Sequence, residues 1–203
     1  DVLLISDETY EFFHYGRGSF ASFASRAREM RDNLVLVGSF SKSYAMTGWR
    51  VGYALGPRPL IAAMVKIQSH DASHTASFAM KGAVAALQIP HSVLESMREE
   101  YRMRRDLMVE GLARIQGVRC ILPQGAYYVF PNVRGLMERF GLGTSADLAR
   151  ALLLGPGIAT VPGTAFGMDG YLRISYAVAV DRIREGLRRL QECQDLKLPD
   201  RGA

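Results

Sequence analysis

The sequence contains few cysteines, few lysines and no long apolar run. Its 203 residues include two cysteines, too few for a disulfide framework or a cysteine-rich metal site. No apolar stretch reaches the roughly 18 residues that a membrane span needs, and the first residues lack the basic and then apolar order of a signal peptide. We therefore expect a cytoplasmic, globular chain that has no membrane partner.

Arginine supplies most of the positive charge. Lysine and arginine together number 25, of which four are lysines. Arginines alternate with acidic residues at 98–102 and 182–185, a pattern typical of solvated helix surfaces, so no nucleic-acid partner is expected. His70 and His74 have the spacing of a helical metal pair but lack a third ligand, so no metal site is expected. The lysines are Lys42, Lys66, Lys81 and Lys197.

Two short apolar runs predict the strands of a sheet. Residues 2–6 and 34–37 have the continuous apolar character of strands buried on both faces, and their separation suits a parallel crossover. Residues 51–55 follow the second run too closely for a crossover, so we expect this third strand to be antiparallel. The apolar spacing within 60–67 predicts an amphipathic helix after it.

The second half of the chain mixes helices with short strands. Ser92 and Glu95 form a capping-box pattern, which predicts the start of a long helix. The elements predicted beyond it are a strand from Val118, strands near 126–131, 158–161 and 171–176, a helix opened by Thr144 and Asp147, and a last helix that contains Ile183, Leu187 and Leu190.

This order of elements indicates an α/β fold in two parts. We expect residues 1–95 to belong to a large domain with a mostly parallel sheet, 96–116 to form a connecting helix, and 117–203 to form a smaller α+β domain. A sheet that consists of so few strands would keep an apolar edge that other strands can pair with.

The segment from Gly38 to Arg50 packs hydroxyls, one lysine and one arginine behind a buried strand. A phosphate-binding P-loop would need one glycine directly before Lys42 and a second glycine five residues before the first. Those positions hold Ser41 and Leu36. The alternative is a reactive lysine at the carboxyl end of a strand, where open α/β sheets bind ligands. Hydroxyls and an arginine nearby suit a phosphate dianion.

This segment resembles the signature of the fold-type I, class I and II aminotransferases: Ser-Phe-Ser-Lys at 39–42, followed by Met-Thr-Gly-Trp-Arg at 46–50. The resemblance implies that the cofactor is pyridoxal 5'-phosphate (PLP) and that Lys42 forms the internal aldimine with it. It also implies that Ser39, Ser41 and Arg50 hold the phosphate of the cofactor.

Asp7-Glu8-Thr9-Tyr10 follows the first predicted strand directly. Alone, an aspartate there predicts a turn or a helix cap, and Tyr10 predicts core packing. The segment also resembles the Asp-Glu-x-Tyr motif of the same family. That resemblance implies that Asp7 pairs with the pyridine nitrogen, so that the ring can accept electrons, and that Tyr10 reaches the phenolic oxygen.

Apolar and polar residues alternate within 171–176. This pattern predicts a strand that buries Leu172 and Ile174 and presents Arg173 on its other face. Such an arginine is most often a solvated surface residue. The Leu-Arg-Ile-Ser context resembles the family, which implies that Arg173 binds the substrate α-carboxylate with two parallel hydrogen bonds. Segments 125–130 and 162–167 also resemble family segments, but we assign them no role.

The resemblance covers the second half of a family member. It implies that the chain is the C-terminal part of a PLP-dependent transferase fold, with residues 1–95 the second half of the PLP-binding large domain. We expect the parent enzyme to be a homodimer that moves an amino group between an L-amino acid and a 2-oxo acid. Gln68-Ser69-His70 looks closest to the bacterial aspartate and aromatic subgroup. A PLP-dependent lyase and a non-catalytic PLP-binding module are the alternatives.

Overall fold

The computed structural model describes residues 2–30 and 32–193. The chain forms two compact units, Asp1–Arg98 and Glu99–Ala203, and each is described by itself. Within the described residues, no helix is long and apolar enough to cross a membrane. The assignment of functional domains to 1–95, 96–116 and 117–203 stays a prediction.

The first unit contains a three-stranded sheet in the order β1-β2-β3. Its strands are β1 (Leu4–Asp7), β2 (Leu34–Ser39) and β3 (Gly52–Leu55). β1 pairs with β2 in parallel, and β3 pairs with β2 in the antiparallel direction. Both pairings agree with the sequence prediction. The described sheet is therefore mixed, with the apolar β2 buried at its centre.

The first strand differs from the prediction. We expected residues 2–6 to be buried on both faces, but Ile5 is 63% exposed and Val2 is 80% exposed. The reason is that β1 is an edge strand, since β2 is its only pairing partner among the described residues. The expected apolar edge of the sheet is thus present at β1.

Three helices accompany this sheet: α1 (Phe40–Ser43), α2 (Arg58–Asp71) and α3 (Ser77–Ala86). The apolar spacing within 60–67 correctly predicted a helix, but its apolar side is largely uncovered, since Val65 and Ile67 are exposed. α3 instead turns its small residues inward. The buried cluster of the first unit comprises Phe40, Met46, Val51, Ala79, Ala83 and Ala86.

A long helix, α4, runs from His91 to Ala113. The sequence predicted this helix but placed its start at a capping box formed by Ser92 and Glu95. That detail is wrong, because the helix already begins at His91 and Ser92 lies within its first turn. Instead, Glu95 pairs with Arg98 on the helix surface, at 2.5 Å.

The second unit contains a small antiparallel sheet in the order β4-β6-β5. The strand predicted from Val118 is reduced to a single bridge between Arg119 and Asn132. The sequence also missed a short helix, α5. The elements are β4 (Tyr128–Val129), α5 (Arg134–Arg139), α6 (Ser145–Leu154), β5 (Val161–Pro162), β6 (Leu172–Ser175) and α7 (Val180–Glu192).

The core of the second unit lies between the helices and the sheet. Leu148 and Val129 are completely buried, and Tyr176, also completely buried, donates a hydrogen bond from its hydroxyl to the Ala126 carbonyl at 3.0 Å. The apolar stripe that the sequence predicted for the last helix is confirmed. Ile183, Leu187 and Leu190 are all buried on α7.

The predicted cap of α6 is also confirmed. Thr144 Oγ1 accepts a hydrogen bond from the Asp147 backbone N–H at 3.1 Å and donates one to Asp147 Oδ2 at 2.7 Å. Replacing Thr144 with alanine should lower the free energy of unfolding of this unit by about 1 kcal/mol, because the amide loses its partner. Urea denaturation followed by circular dichroism measures this. Thr164→Ala, at an exposed threonine, is the control and should change little; equal losses in both variants would refute the cap.

Candidate active site

The backbone around Lys42 is held by its neighbours on both sides. Ser39 is the N-cap of α1, and its Oγ accepts a hydrogen bond from the Ser41 N–H at 3.1 Å. Phe40 and Ser43 are buried, with 6% and 2% exposure. Lys42 itself is half-buried. The short helix therefore fixes the position from which the lysine side chain extends.

Tyr10 lies beside Lys42. The Lys42 Nζ is 5.9 Å from the centroid of the Tyr10 ring. The same ring packs edge-on against Phe13, at a centroid distance of 6.4 Å, and Phe13 is 1% exposed. Tyr10 thus packs against a buried ring, as one reading of the sequence predicted, and its predicted role toward the phenolic oxygen stays a prediction. The structure thus brings together two of the residues predicted for the site.

Asp7 lies at the carboxyl end of β1, beside Val37 of β2, two residues before Ser39 on the neighbouring strand. Its Oδ1 accepts hydrogen bonds from the Thr9 backbone N–H at 3.1 Å and from the Thr9 hydroxyl at 2.6 Å. This Asx-type turn orients the carboxylate. Thr9 was not among the predicted site residues, although an aspartate two residues before a threonine is the signal for such a turn.

The three residues predicted to hold a phosphate line one pocket. Ser39, Ser41 and Arg50 border a cavity of about 430 Å³ at the carboxyl end of β2, and Thr9 borders it as well. The Ser39 and Ser41 hydroxyls and the Arg50 guanidinium are donors that a phosphate dianion can use together. The chemistry of this donor set therefore fits the phosphate of PLP.

Arg50 reaches this pocket from a constrained backbone. Its φ of 57° and ψ of 46° lie in the left-handed region, which is uncommon for residues other than glycine and asparagine. Its Nη1 donates a hydrogen bond to the Thr47 carbonyl at 2.8 Å. The exposed guanidinium is thus held across the turn at Thr47–Trp49, a short 3-10 helix.

Glu11, Tyr44 and Tyr53, all in the first unit, have pKa values above their ordinary ones. Burial, and then repulsion by Glu8, raises the pKa of Glu11. Burial and the charge of Glu11 likewise raise the pKa of Tyr44 and of Tyr53. Both phenols therefore stay protonated at neutral pH and keep their hydroxyl donors.

Arg173, the predicted substrate anchor, lies in the second unit on β6, the central strand of its sheet. As predicted, Leu172 is buried, with 1% exposure. The Arg173 guanidinium contacts two aromatic rings: its Cζ is 4.7 Å from the Tyr128 centroid and 4.9 Å from the Phe166 centroid. The sequence analysis assigned no role to either ring. Both lie in the segments 125–130 and 162–167, whose resemblance to the family was the available signal.

The family model for class I and II aminotransferases matches residues 1–190. The chain belongs to this family. It is 40% identical over 193 residues to a probable aspartate/prephenate aminotransferase of Aquifex aeolicus, covering 94% of this chain and 48% of that protein. It is 37% identical over 196 residues to an aspartate aminotransferase of Geobacillus stearothermophilus, covering 97% of this chain and 50% of that protein.

Solved aminotransferase structures share the fold. The aspartate aminotransferase from Rhizobium meliloti superposes with a TM-score of 0.86 at 37% identity, covering 94% of this chain and 49% of that one. An aromatic aminotransferase from Pyrococcus horikoshii superposes with a TM-score of 0.84 at 38% identity, covering 93% of this chain and 50% of that one. The predicted fold class, part of an aminotransferase fold, is confirmed. The chain spans about half the length of these relatives.

Proposed function

We propose that this chain supplies the lysine side of a PLP site in an aminotransferase that moves an amino group between an L-amino acid and a 2-oxo acid. The observation that carries the proposal is the pocket shared by Ser39, Ser41 and Arg50, which lies on the segment that contains Lys42. Membership in the aminotransferase family supports the same chemistry.

Each residue of the first unit has a role in the proposal. Ser39, Ser41 and Arg50 would bind the phosphate group, and the Lys42 amine would hold the cofactor through a covalent bond. Asp7 holds a proton on the pyridine nitrogen, and Tyr10 donates a hydrogen bond to the phenolic oxygen. When bound, PLP supplies an electron sink for the electrons of the substrate Cα–H bond. When it is not bonded to the cofactor, Lys42 Nζ would take the proton from that Cα and return it during transfer.

Arg173 is the proposed substrate anchor. A guanidinium can bind a carboxylate through two parallel N–H···O hydrogen bonds, which fixes both the position and the orientation of the amino acid. Within the described part of the second unit, 99–193, the Arg173 side chain forms no hydrogen bond or ion pair. Its donors are therefore available to a carboxylate.

The proposal extends to the substrate and the assembly of the whole enzyme. Relatives named aspartate aminotransferase and aromatic aminotransferase make aspartate or an aromatic amino acid the favoured substrate. These names also favour transfer over the elimination that a lyase of the same fold would perform. We propose that the whole enzyme, of whose relatives' length this chain spans about half, acts as a homodimer in the cytoplasm.

Covalent trapping tests the proposal directly. The chain is incubated with PLP and reduced with borohydride, and the modified residue is located by mass spectrometry. We expect the phosphopyridoxyl mass on Lys42, because this lysine directly follows Ser41, one of the proposed phosphate donors. Lys66 and Lys81 are exposed and serve as controls within the same chain. Label on these lysines with none on Lys42 would refute the proposal.

A further inference from the structure

The two rings that contact the Arg173 guanidinium, those of Tyr128 and Phe166, are themselves packed against further aromatic rings. Phe166 meets Phe130 edge-on, with centroids 5.8 Å apart and planes at 89°. Phe130 in turn stacks on Tyr171 at 5.2 Å and 16°. The second ring, Tyr128, contacts Tyr127 at a centroid distance of 4.8 Å. Neither ring beside Arg173 is an isolated surface contact.

Contacts with the faces of aromatic rings constrain an arginine without using its hydrogen-bond donors. The rings attract the positive charge through their faces, and the N–H groups of Arg173 have no hydrogen-bond partner in the described part of the unit. The rings also exclude water from the part of the weakly hydrated guanidinium that they contact. A carboxylate that approaches the edge meets a donor pair whose orientation is already fixed.

The backbone on either side supports this arrangement. Arg173 is paired with Val161 of β5, and Tyr128 of β4 is paired with Ser175 of the same central strand. Phe166 belongs to a single 3-10 turn, Gly163–Phe166, which ends at Gly167 in the left-handed conformation, with φ of 73°. The two rings thus reach Arg173 from different segments, and each segment is held by its own backbone hydrogen bonds.

We propose that Tyr128 and Phe166 are positioning residues for Arg173, which they hold as a preoriented carboxylate receptor. This inference rests on the proposed role of Arg173 as the substrate anchor. The two rings contribute through their faces, so their aromatic character matters and the Tyr128 hydroxyl does not. They act on the guanidinium and not on the substrate side chain.

The test uses succinate, a dicarboxylate, as the probe and the side-chain Nε–Hε signals of the arginines in NMR spectra of the full chain. The Arg173 signal is assigned by its loss in Arg173→Lys. Ring currents should displace this signal in the wild-type chain, and succinate should shift it further. Phe166→Leu and Tyr128→Leu should each remove much of the ring-current displacement and weaken succinate binding about fivefold. Tyr128→Phe and Phe166→Tyr should behave as the wild type.

Phe140→Leu is the matched control, because the Phe140 ring contacts a different arginine, Arg139, at 5.1 Å. That variant should leave the Arg173 signal and succinate binding unchanged. Unchanged succinate binding in both ring-to-leucine variants would overturn the inference, as would a wild-type Arg173 signal that does not respond to succinate. Neither measurement needs PLP. Failure of labelling at Lys42 would therefore count against the proposed function alone.

Discussion

Replacing Arg50 with asparagine is expected to weaken the binding of PLP about 50-fold, because the phosphate loses a charge-assisted, bidentate partner. Asparagine is the suitable replacement, since Arg50 has a left-handed backbone that asparagine tolerates. The affinity is measured as the PLP concentration that gives half-maximal labelling after reduction. Arg50→Lys keeps the charge but loses the planar fork, so its affinity should fall between the other two.

Pyridoxal, which lacks the phosphate, provides the sharpest control for this prediction. It should label the wild-type chain and the Arg50→Asn variant equally, because Arg50 is assigned to the phosphate alone. Arg28→Asn changes an exposed arginine outside the pocket and should leave PLP binding unchanged. If the Arg50 variant lost affinity for pyridoxal as strongly as for PLP, the residue would act on the fold of the site and not on the phosphate.

The site of the first unit could be predicted because its information is local in sequence. Ser39, Ser41 and Arg50 lie within one segment that follows a buried strand, and a parallel neighbour strand brings Asp7 to the same edge of the sheet. Strand order and the position of a loop at a strand end follow from apolar runs and crossover length. The roles of these residues toward a cofactor stay predictions.

Burial was harder to predict, because it depends on neighbours that a local pattern does not show. Residues 2–6 have the composition of a central strand, yet Ile5 is exposed at the edge of the described sheet. The same holds for α2, where the apolar spacing is correct and the residues Val65 and Ile67 remain exposed. Apolar periodicity predicts which face can be covered and does not predict what covers it.

The setting of Arg173 could not be predicted for a different reason. Tyr128 lies tens of residues before Phe166 and Arg173 in the sequence, and no spacing rule links the three residues. Each segment is recognisable alone, as a short strand or a glycine-rich turn. Their meeting depends on the register of β4 and β5 against β6, which sequence patterns of two-residue strands do not define.

The turn that carries Phe166 depends on the absence of a side chain at Gly163. A Cβ at this position would overlap the carbonyl oxygen of Met168 and lie 2.7 Å from that of Tyr171. Backbone atoms cannot move aside as a flexible side chain can, so Gly163→Ala should force the turn away from β6. We expect a loss of about 3 kcal/mol in the free energy of unfolding, measured by urea denaturation. The Nε–Hε signal of Arg173 should move as well, because Phe166 shifts with the turn.

Gly186→Ala is the matched control for this change. Gly186 lies within α7, and a Cβ there would meet no atom within 4 Å. Alanine should therefore stabilise the helix by about 0.5–1 kcal/mol and leave the Arg173 signal in place. A Gly163→Ala variant as stable as the wild type would show that the turn has room to shift. If that variant also kept its Arg173 signal, the position of Phe166 would not depend on this close approach of two backbones.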